Sequence, residues 1–288
     1  MYRLFSIGVL VMWIAAMGAL VVRDVWPAWT AQDPPPITAE QLARLSRDEE
    51  QFGIFNGDSQ RLGTAWSNIT RTGPNSNIYG TMHIEKQRLL PELLIETLTI
   101  FDGDGDLDTF ELDVFGAPFP LNPIQIRGQQ YGDAFPCELR IGAMKRQASL
   151  QLSSSRMIGE SMRPFTFLPE LEVGQSWRMQ VLDPLAAVLQ RGTQFTPVIA
   201  TVTGKEVLEM DDGKVECFVV ELSQQRAKAW VHATGRVVQQ EVEVPGMGTV
   251  LVKEERFDGK LRQEVRERVP RGSRMRPLRE AFKQQHDD

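Results

Sequence analysis

Four carboxylates at alternate positions, Asp102, Asp104, Asp106 and Asp108, form the most concentrated run of potential ligands in the chain. Calcium takes several oxygen ligands, and carboxylates spaced in this way in a loop can converge on one ion. An EF-hand loop counted from Asp102 would need glycine at its sixth place and glutamate at its twelfth. This chain has Leu107 and Asp113 there. The same residues fit an acidic hairpin turn between 98–101 and 107–112, with Gly103 and Gly105 supplying the positive φ that tight turns demand. The hairpin is the favoured reading and calcium the alternative.

Other reactive groups are sparse. Cys137 and Cys217 could pair in an oxidising compartment, closing a loop of about 80 residues worth roughly 4–5 kcal/mol in the chain-entropy model. Against this, Cys217 shares the parity of Val215 and Val219 in a β-type run, which favours a core thiol. No histidine or Cys-x-x-Cys spacing supports thiol catalysis. The three histidines, His83, His232 and His286, lack zinc-ligand spacing, and His83 and His232 fit structural positions in strands. Gly174-Gln175-Ser176-Trp177-Arg178 begins like a serine nucleophile elbow but lacks the closing glycine, and reads as a turn leading into a strand with a core Trp177. No phosphate-binding glycine loop is present, Gly246-Met247-Gly248 being an isolated turn, and no cofactor is implied. Asn68-Ile69-Thr70 matches a glycosylation sequon. A glycosidase-like carboxylate pair could be assembled only by the fold.

The chain that must position these groups has 288 residues and a formal net charge of -6, which gives no electrostatic case for nucleic acid. Residues 4–22 (LFSIGVLVMWIAAMGALVV) carry no charge. As a helix they reach about 30 Å, the hydrocarbon thickness of a bilayer. Trp26 and Trp29 follow at the position where aromatic rings favour the membrane interface. The run exceeds the apolar stretch of a signal peptide, and Trp29 spoils the small-residue pattern before Ala31. A retained anchor is therefore expected, with the short N-terminus inside and the body outside the cytoplasm. The prolines of 33–37 (DPPPI) make a stiff spacer. Thr38 with Gln41 forms a capping-box pattern for a polar helix running to about Glu50.

From Phe52 the apolar period changes to two. Residues 238–244 (VQQEVEV) alternate, and 94–101, 214–222 and 249–255 share the pattern, separated by Gly/Asp/Asn turns. Ten or more short strands at regular spacing define a mainly β fold, a meandering antiparallel sheet that is open or partly closed. A short helix is expected at 183–190, where Asp183 caps and Pro184 occupies the first turn. The stretch 153–174 reads as a loop. Residues 266–283 carry seven basic side chains against Glu267 and Glu280, a patch that is either a solvated end or a contact for anionic lipid or an acidic partner. The expected organisation is a transmembrane anchor (1–24), a proline spacer with a short polar helix (25–51), a β-rich extracytoplasmic domain (52–265) and a basic tail (266–288).

Three blocks carry a resemblance. They are Phe52-Gly53-Ile54-Phe55-Asn56-Gly57 with Arg61-Leu62-Gly63-Thr64-Ala65, then Gly174-Gln175-Ser176-Trp177 leading to Asp183-Pro184, and finally Trp230 to Val238 with its Thr234-Gly235-Arg236 turn followed by Pro245-Gly246-Met247-Gly248. Their order resembles bacterial envelope proteins of unknown function with a lipoprotein-carrier-like curved sheet. The resemblance implies a half-barrel with an apolar concave face and one or two short helices, and carries over no functional residue. The expectation is a membrane-anchored, non-enzymatic envelope module that holds an apolar ligand or a partner segment, with Trp66, Trp177, Phe218 and Trp230 as lining residues. Its alternatives are an accessory subunit of an envelope assembly and a hydrolase of unknown type.

Overall fold

The computed structural model describes residues 2–20, 49–57, 59–86, 91–116, 119–132, 134–151, 158–160, 165, 167–168, 170–182, 195–210, 213–223, 226–244 and 248–268. The proline spacer, the helix expected at 183–190 and the tail beyond 268 lie outside the described residues. Helix α1 spans Tyr2–Leu20. Its described side chains are Leu10 and those at 12–20, all exposed. Taken over the described residues, no helix is long and apolar enough to cross a membrane.

Fifteen strands follow: β1 Glu50–Asn56, β2 Arg61–Thr72, β3 Asn75–Ile84, β4 Leu93–Phe101, β5 Leu107–Gly116, β6 Phe119–Gln129, β7 Ala134–Ile141, β8 Met144–Gln151, β9 Ile158–Glu160, β10 Ser176–Leu182, β11 Phe195–Met210, β12 Gly213–Leu222, β13 Ala227–His232, β14 Val237–Val244 and β15 Gly248–Glu255. A second helix, α2, closes the described chain at Gly259–Arg268. All the strands belong to one sheet in the order β8-β7-β6-β5-β4-β3-β2-β1-β15-β14-β13-β12-β11-β10-β9. Two sequential meanders are thus joined at the centre by β1 on β15, from Gln51 opposite Glu255 to Asn56 opposite Val250. Every pairing is antiparallel except β9 on β10.

The expected mainly β meander is present, and the strand boundaries explain two differences. Glu50 and Gln51 belong to β1 rather than to the end of a helix, because they pair with Ser67 and Trp66 of β2 and Gln51 also faces Glu255. The β-rich unit therefore begins before Phe52, and α2 runs across the expected boundary between domain and tail. Helix α2 has a local cause: the Oδ1 of Asp258 accepts hydrogen bonds from the backbone N–H groups of Lys260 (2.9 Å) and Leu261 (3.2 Å), a side-chain N-cap.

Strand parity gives the sheet two faces. One face forms a single apolar cluster that reaches across both meanders, from Phe135 and Ile126 through Leu112, Ile54 and Val252 to Val220 and Trp177. Ile54, Leu112, Ile126, Phe135, Trp177 and Val252 are all fully buried. A sheet can bury one of its faces to this degree by curling round on itself, so this is the inner face. Gly128 is required here, since a Cβ would collide with the Phe135 ring and the Cys137 sulfur.

The stretch that reads as a loop in the sequence contributes to this interior. Phe165, Phe167 and Leu168 are buried in the same cluster. Gln240 of β14, itself buried, holds the segment in place: its Oε1 accepts from the Phe165 N–H at 3.1 Å and its Nε2 donates to the Phe165 carbonyl at 2.8 Å. The Leu168 N–H donates to the Gly235 carbonyl at 2.9 Å. Truncating Gln240→Ala strands a buried donor and a buried acceptor on Phe165. It should cost about 2–4 kcal/mol in urea unfolding, and a loss below about 0.5 kcal/mol would show that this clamp is dispensable.

Candidate functional site

The outer face carries the polar architecture. Helix α2 crosses it with Leu261 and Val265 resting on Trp66, Leu94 and Phe115. The helix start is fixed by Gln51, whose buried Oε1 accepts from Trp66 Nε1 at 3.0 Å and from the Asp258 N–H at 2.9 Å. Arg262 stacks 5.1 Å above the Trp66 ring. Its Nε donates to Glu49 at 2.7 Å and its Nη2 to the Thr81 hydroxyl at 3.3 Å.

Beside α2, strand register brings three acids together. Glu96 of β4 lies opposite Asp113 of β5, and Leu98 lies opposite Glu111. Asp113 faces Gln125 and Glu111 faces Arg127, both on β6. The Glu111 and Asp113 side chains are 1% and 3% exposed. Arg127 is the cation described against them, 3.6 Å from Glu111 and 3.4 Å from Asp113. Gln125 Nε2 donates to Asp113 at 3.1 Å. Among the described residues neither Glu111 oxygen has a hydrogen-bond partner, nor has the buried Oε2 of Glu96.

All three acids titrate above the usual carboxylate range. Burial is the main cause for Glu96, the neighbouring Asp113 adds to it, and Arg262 and Arg266 oppose it. For Glu111 burial again dominates, with Arg127 pulling down and Asp113 pushing up. Burial leads for Asp113 too, offset by Arg127 and by the hydrogen bond from Gln125. Chemically the row is a set of acids reluctant to ionise, suited to holding protons or accepting a cationic group.

The residues singled out by sequence fall elsewhere. Asp102, Asp104, Asp106 and Asp108 make the β4–β5 hairpin turn. Asp102 Oδ1 accepts from the N–H groups of Asp104 (3.0 Å) and Asp106 (2.9 Å), and Gly105 adopts φ of 83°. Among the described residues no group of three His, Cys, Asp or Glu side chains could hold a metal ion. The four aromatic residues do not converge on one concave surface. Trp177 and Phe218 belong to the inner cluster, Trp66 lies under α2, and Trp230 sits in a separate outer-face cluster with Cys217, Val219 and Val238. Trp230 Nε1 donates to Glu206 at 2.7 Å, and Lys228 lies 4.6 Å above its ring.

Cys137 and Cys217 are free buried thiols on opposite faces, which replaces the disulfide alternative. His83 Nε2 meets Glu92 Oε1 at 2.7 Å, and His232 Nδ1 meets the Thr234 hydroxyl at 2.8 Å in the turn after β13. Ser176 begins β10, its hydroxyl 3.0 Å from that of Thr201.

Sequence reasoning missed Glu96, Glu111 and Asp113. The alternation of Glu111, Leu112, Asp113 and Val114 does signal one polar face, but local pattern cannot show that this face is buried. It also missed α2, for which Asp258 followed by Leu261 and Val265 was a usable cap-and-stripe signal.

The described chain thus comprises one large, mainly antiparallel β sheet and two helices. No family model matches it, and no curated protein matches it. Solved structures similar to it include a beta-barrel-like protein of a domain of unknown function, DUF1849, from Brucella abortus, at 8% identity and a TM-score of 0.45, covering 73% of this chain and 96% of that one. A DUF1089 family protein from Pseudomonas aeruginosa is similar at 13% identity and a TM-score of 0.38, covering 64% of this chain and 90% of that one. Neither is described as a lipoprotein carrier.

Two measurements check the site. Because the native pKa of Glu111 is raised, the folded state holds its proton more tightly than the unfolded state does. Its contribution to stability is therefore complete below the unfolded pKa and is lost as pH rises through the folded one. Glu111→Gln should raise the melting temperature at pH 8 by about 2–4 °C, the response of a domain of this size to about 1 kcal/mol, and change it little at pH 4. An equal shift at both values would count against a buried, reluctant acid. Burial pushes the Cys137 thiol up to about 12. Ellman's reagent should therefore find neither cysteine until denaturant is added, whereas rapid native labelling of Cys137 would contradict its placement.

Proposed function

We propose that the chain is a membrane-tethered, non-enzymatic module of the cell envelope that presents its curled sheet outside the cytoplasm and binds a partner protein segment. Helix α1 carries the reading. Leu10, Met12, Trp13, Ile14, Met17 and Leu20 are all exposed large apolar side chains. A helix apolar all round needs either a protein interior or lipid around it. The uncharged run 4–22 supplies the span that the described side chains alone do not.

Between an apolar ligand and a partner segment, the packed inner face favours the segment. An apolar ligand would have to displace fully buried side chains and the segment clamped by Gln240. A partner can instead use the charged outer face or the edge strands β8 and β9, which pair on one side only among the described residues.

Alkaline carbonate should leave the full chain in the membrane pellet and release a chain lacking residues 2–20. Release of the full chain would refute the tether. The purified full chain should show no saturable uptake of a fluorescent fatty acid, whereas stoichiometric uptake would restore the apolar-ligand reading. In-membrane cross-linking should trap one recurrent protein partner.

A further inference from the structure

We propose that α2 is a lid, hinged at Arg256 and Phe257 and latched by Arg262 on Glu49, which opens as a unit while the sheet stays folded and so uncovers Trp66, Leu94 and Phe115. The inference concerns the outer face and stands without the tether or the partner segment.

The first observation is how little holds the helix. Helix α2 has ten residues, GKLRQEVRER. Isolated helices shorter than about 12–15 residues are marginal in water, so α2 persists because it is docked. Its only apolar side chains are Leu261 and Val265, and of these only Val265 is buried. The strands beneath it are hydrogen-bonded to neighbours on both sides. Undocking and unwinding of α2 are therefore one event, and that event costs less than opening the sheet.

The second observation is a hinge. Strand β15 ends at Glu255, whose carboxylate is gripped by Arg61 through Nη1 at 2.9 Å and Nη2 at 2.8 Å. The next fixed point is Asp258, whose N–H donates to Gln51 and whose carboxylate caps the helix. Residues 256–258 belong to no strand or helix and are exposed, Phe257 at 45%. A pivot there moves α2 together with its cap and leaves β15 in register.

The third observation is a latch. Two contacts tie α2 to the chain entering β1, and they stand one helical turn apart: Asp258 on Gln51 and Arg262 on Glu49. Arg262 carries most of the polar docking. It joins Glu49, the Thr81 hydroxyl and the Trp66 ring, and with Arg266 it bears on Glu96. The planar guanidinium can stack and donate at once, so these contacts form and break together. The Arg262 and Glu49 side chains are only 21% and 24% exposed, which places the pair under partial cover rather than in open water. Closed, the lid keeps the floor of Trp66, Leu94 and Phe115 from solvent; open, that floor is an apolar patch beside Glu96.

The test is native-state hydrogen exchange of the full chain in detergent, read by peptide mass spectrometry. Amides of 259–268 should be protected, yet exchange at least about 100-fold faster than those of β12 and β14, because they open locally. Arg262→Gln should speed exchange of 259–268 a further ten-fold or so and leave β12 and β14 unchanged. Glu49→Ala should speed the same peptide about five-fold, and the double variant should add little to Arg262→Gln, since the pair is already broken. Arg262→Lys, which keeps the charge and loses the fork, should give a smaller increase, about two- to five-fold. Unreactive Cys137 in each variant certifies that the sheet is intact. Exchange of 259–268 as slow as that of β14 in the unaltered chain overturns the lid, as does a rise in every peptide alike in Arg262→Gln or Arg262→Lys. An α2 unmoved by Glu49→Ala, or single effects that simply add in the double variant, overturn the latch.

Discussion

The structure depends on a covalent constraint at the edges of its sheet. Strands β8 and β9 are the two ends of a fifteen-strand ladder, yet Gln151 and Ile158 are only seven positions apart in sequence. Laid flat, the ladder would be about 67 Å wide at about 4.8 Å per spacing. The link between its edges reaches at most about 25 Å when extended. The sheet must therefore curl until its edges approach. That curl turns one face of every strand into a common interior, which is why residues as distant in sequence as Ile126 and Trp177 share one cluster. The β1–β15 pairing at the centre ties the two meanders into one surface, so that the curl is a property of the whole sheet.

Local physics made much of this legible. Period-two alternation located the strands, and the run 238–244 became β14 almost unchanged. The glycine-aspartate turn at 102–106 was readable because Gly105 tolerates positive φ and Asp102 can bond its own backbone. The parity of Cys217 with Val219 correctly put it in a cluster. Parity alone, however, names no face. Trp66 and Trp177 look alike in sequence, yet one is under a helix outside the sheet and the other is buried within it. That assignment rests on non-local register, which one-dimensional patterns do not carry.

The same limit bears on the helices and the acids. The body of the helix expected after Thr38 lies outside the described residues, but Glu50, at its expected end, is a strand residue paired with Ser67 of β2. Pairing of this kind decides where a strand begins. Helix α2 was hidden because most of its span falls inside the expected β-rich domain, and only two residues, Leu261 and Val265, mark the face it buries. The buried acids were hidden because Glu and Asp are almost always exposed, so their placement is informative only once the fold is known.

The division of labour between the faces constrains what the protein can do. A carrier for apolar molecules needs an interior that can be emptied cheaply. Here the interior is filled by branched and aromatic side chains and by a backbone segment whose N–H and C=O are both satisfied by Gln240. Emptying it would expose apolar area and break buried hydrogen bonds together. The outer face is the reverse case. Glu111 lacks a hydrogen-bond donor, and Arg127 alone among the described residues stands in contact with both Glu111 and Asp113. A buried acid left in this state costs stability, and it is relieved by a cation from another segment or by a proton. The unbalanced charge in this fold therefore lies on the surface beside α2, while the concave face of the curved sheet is the packed one.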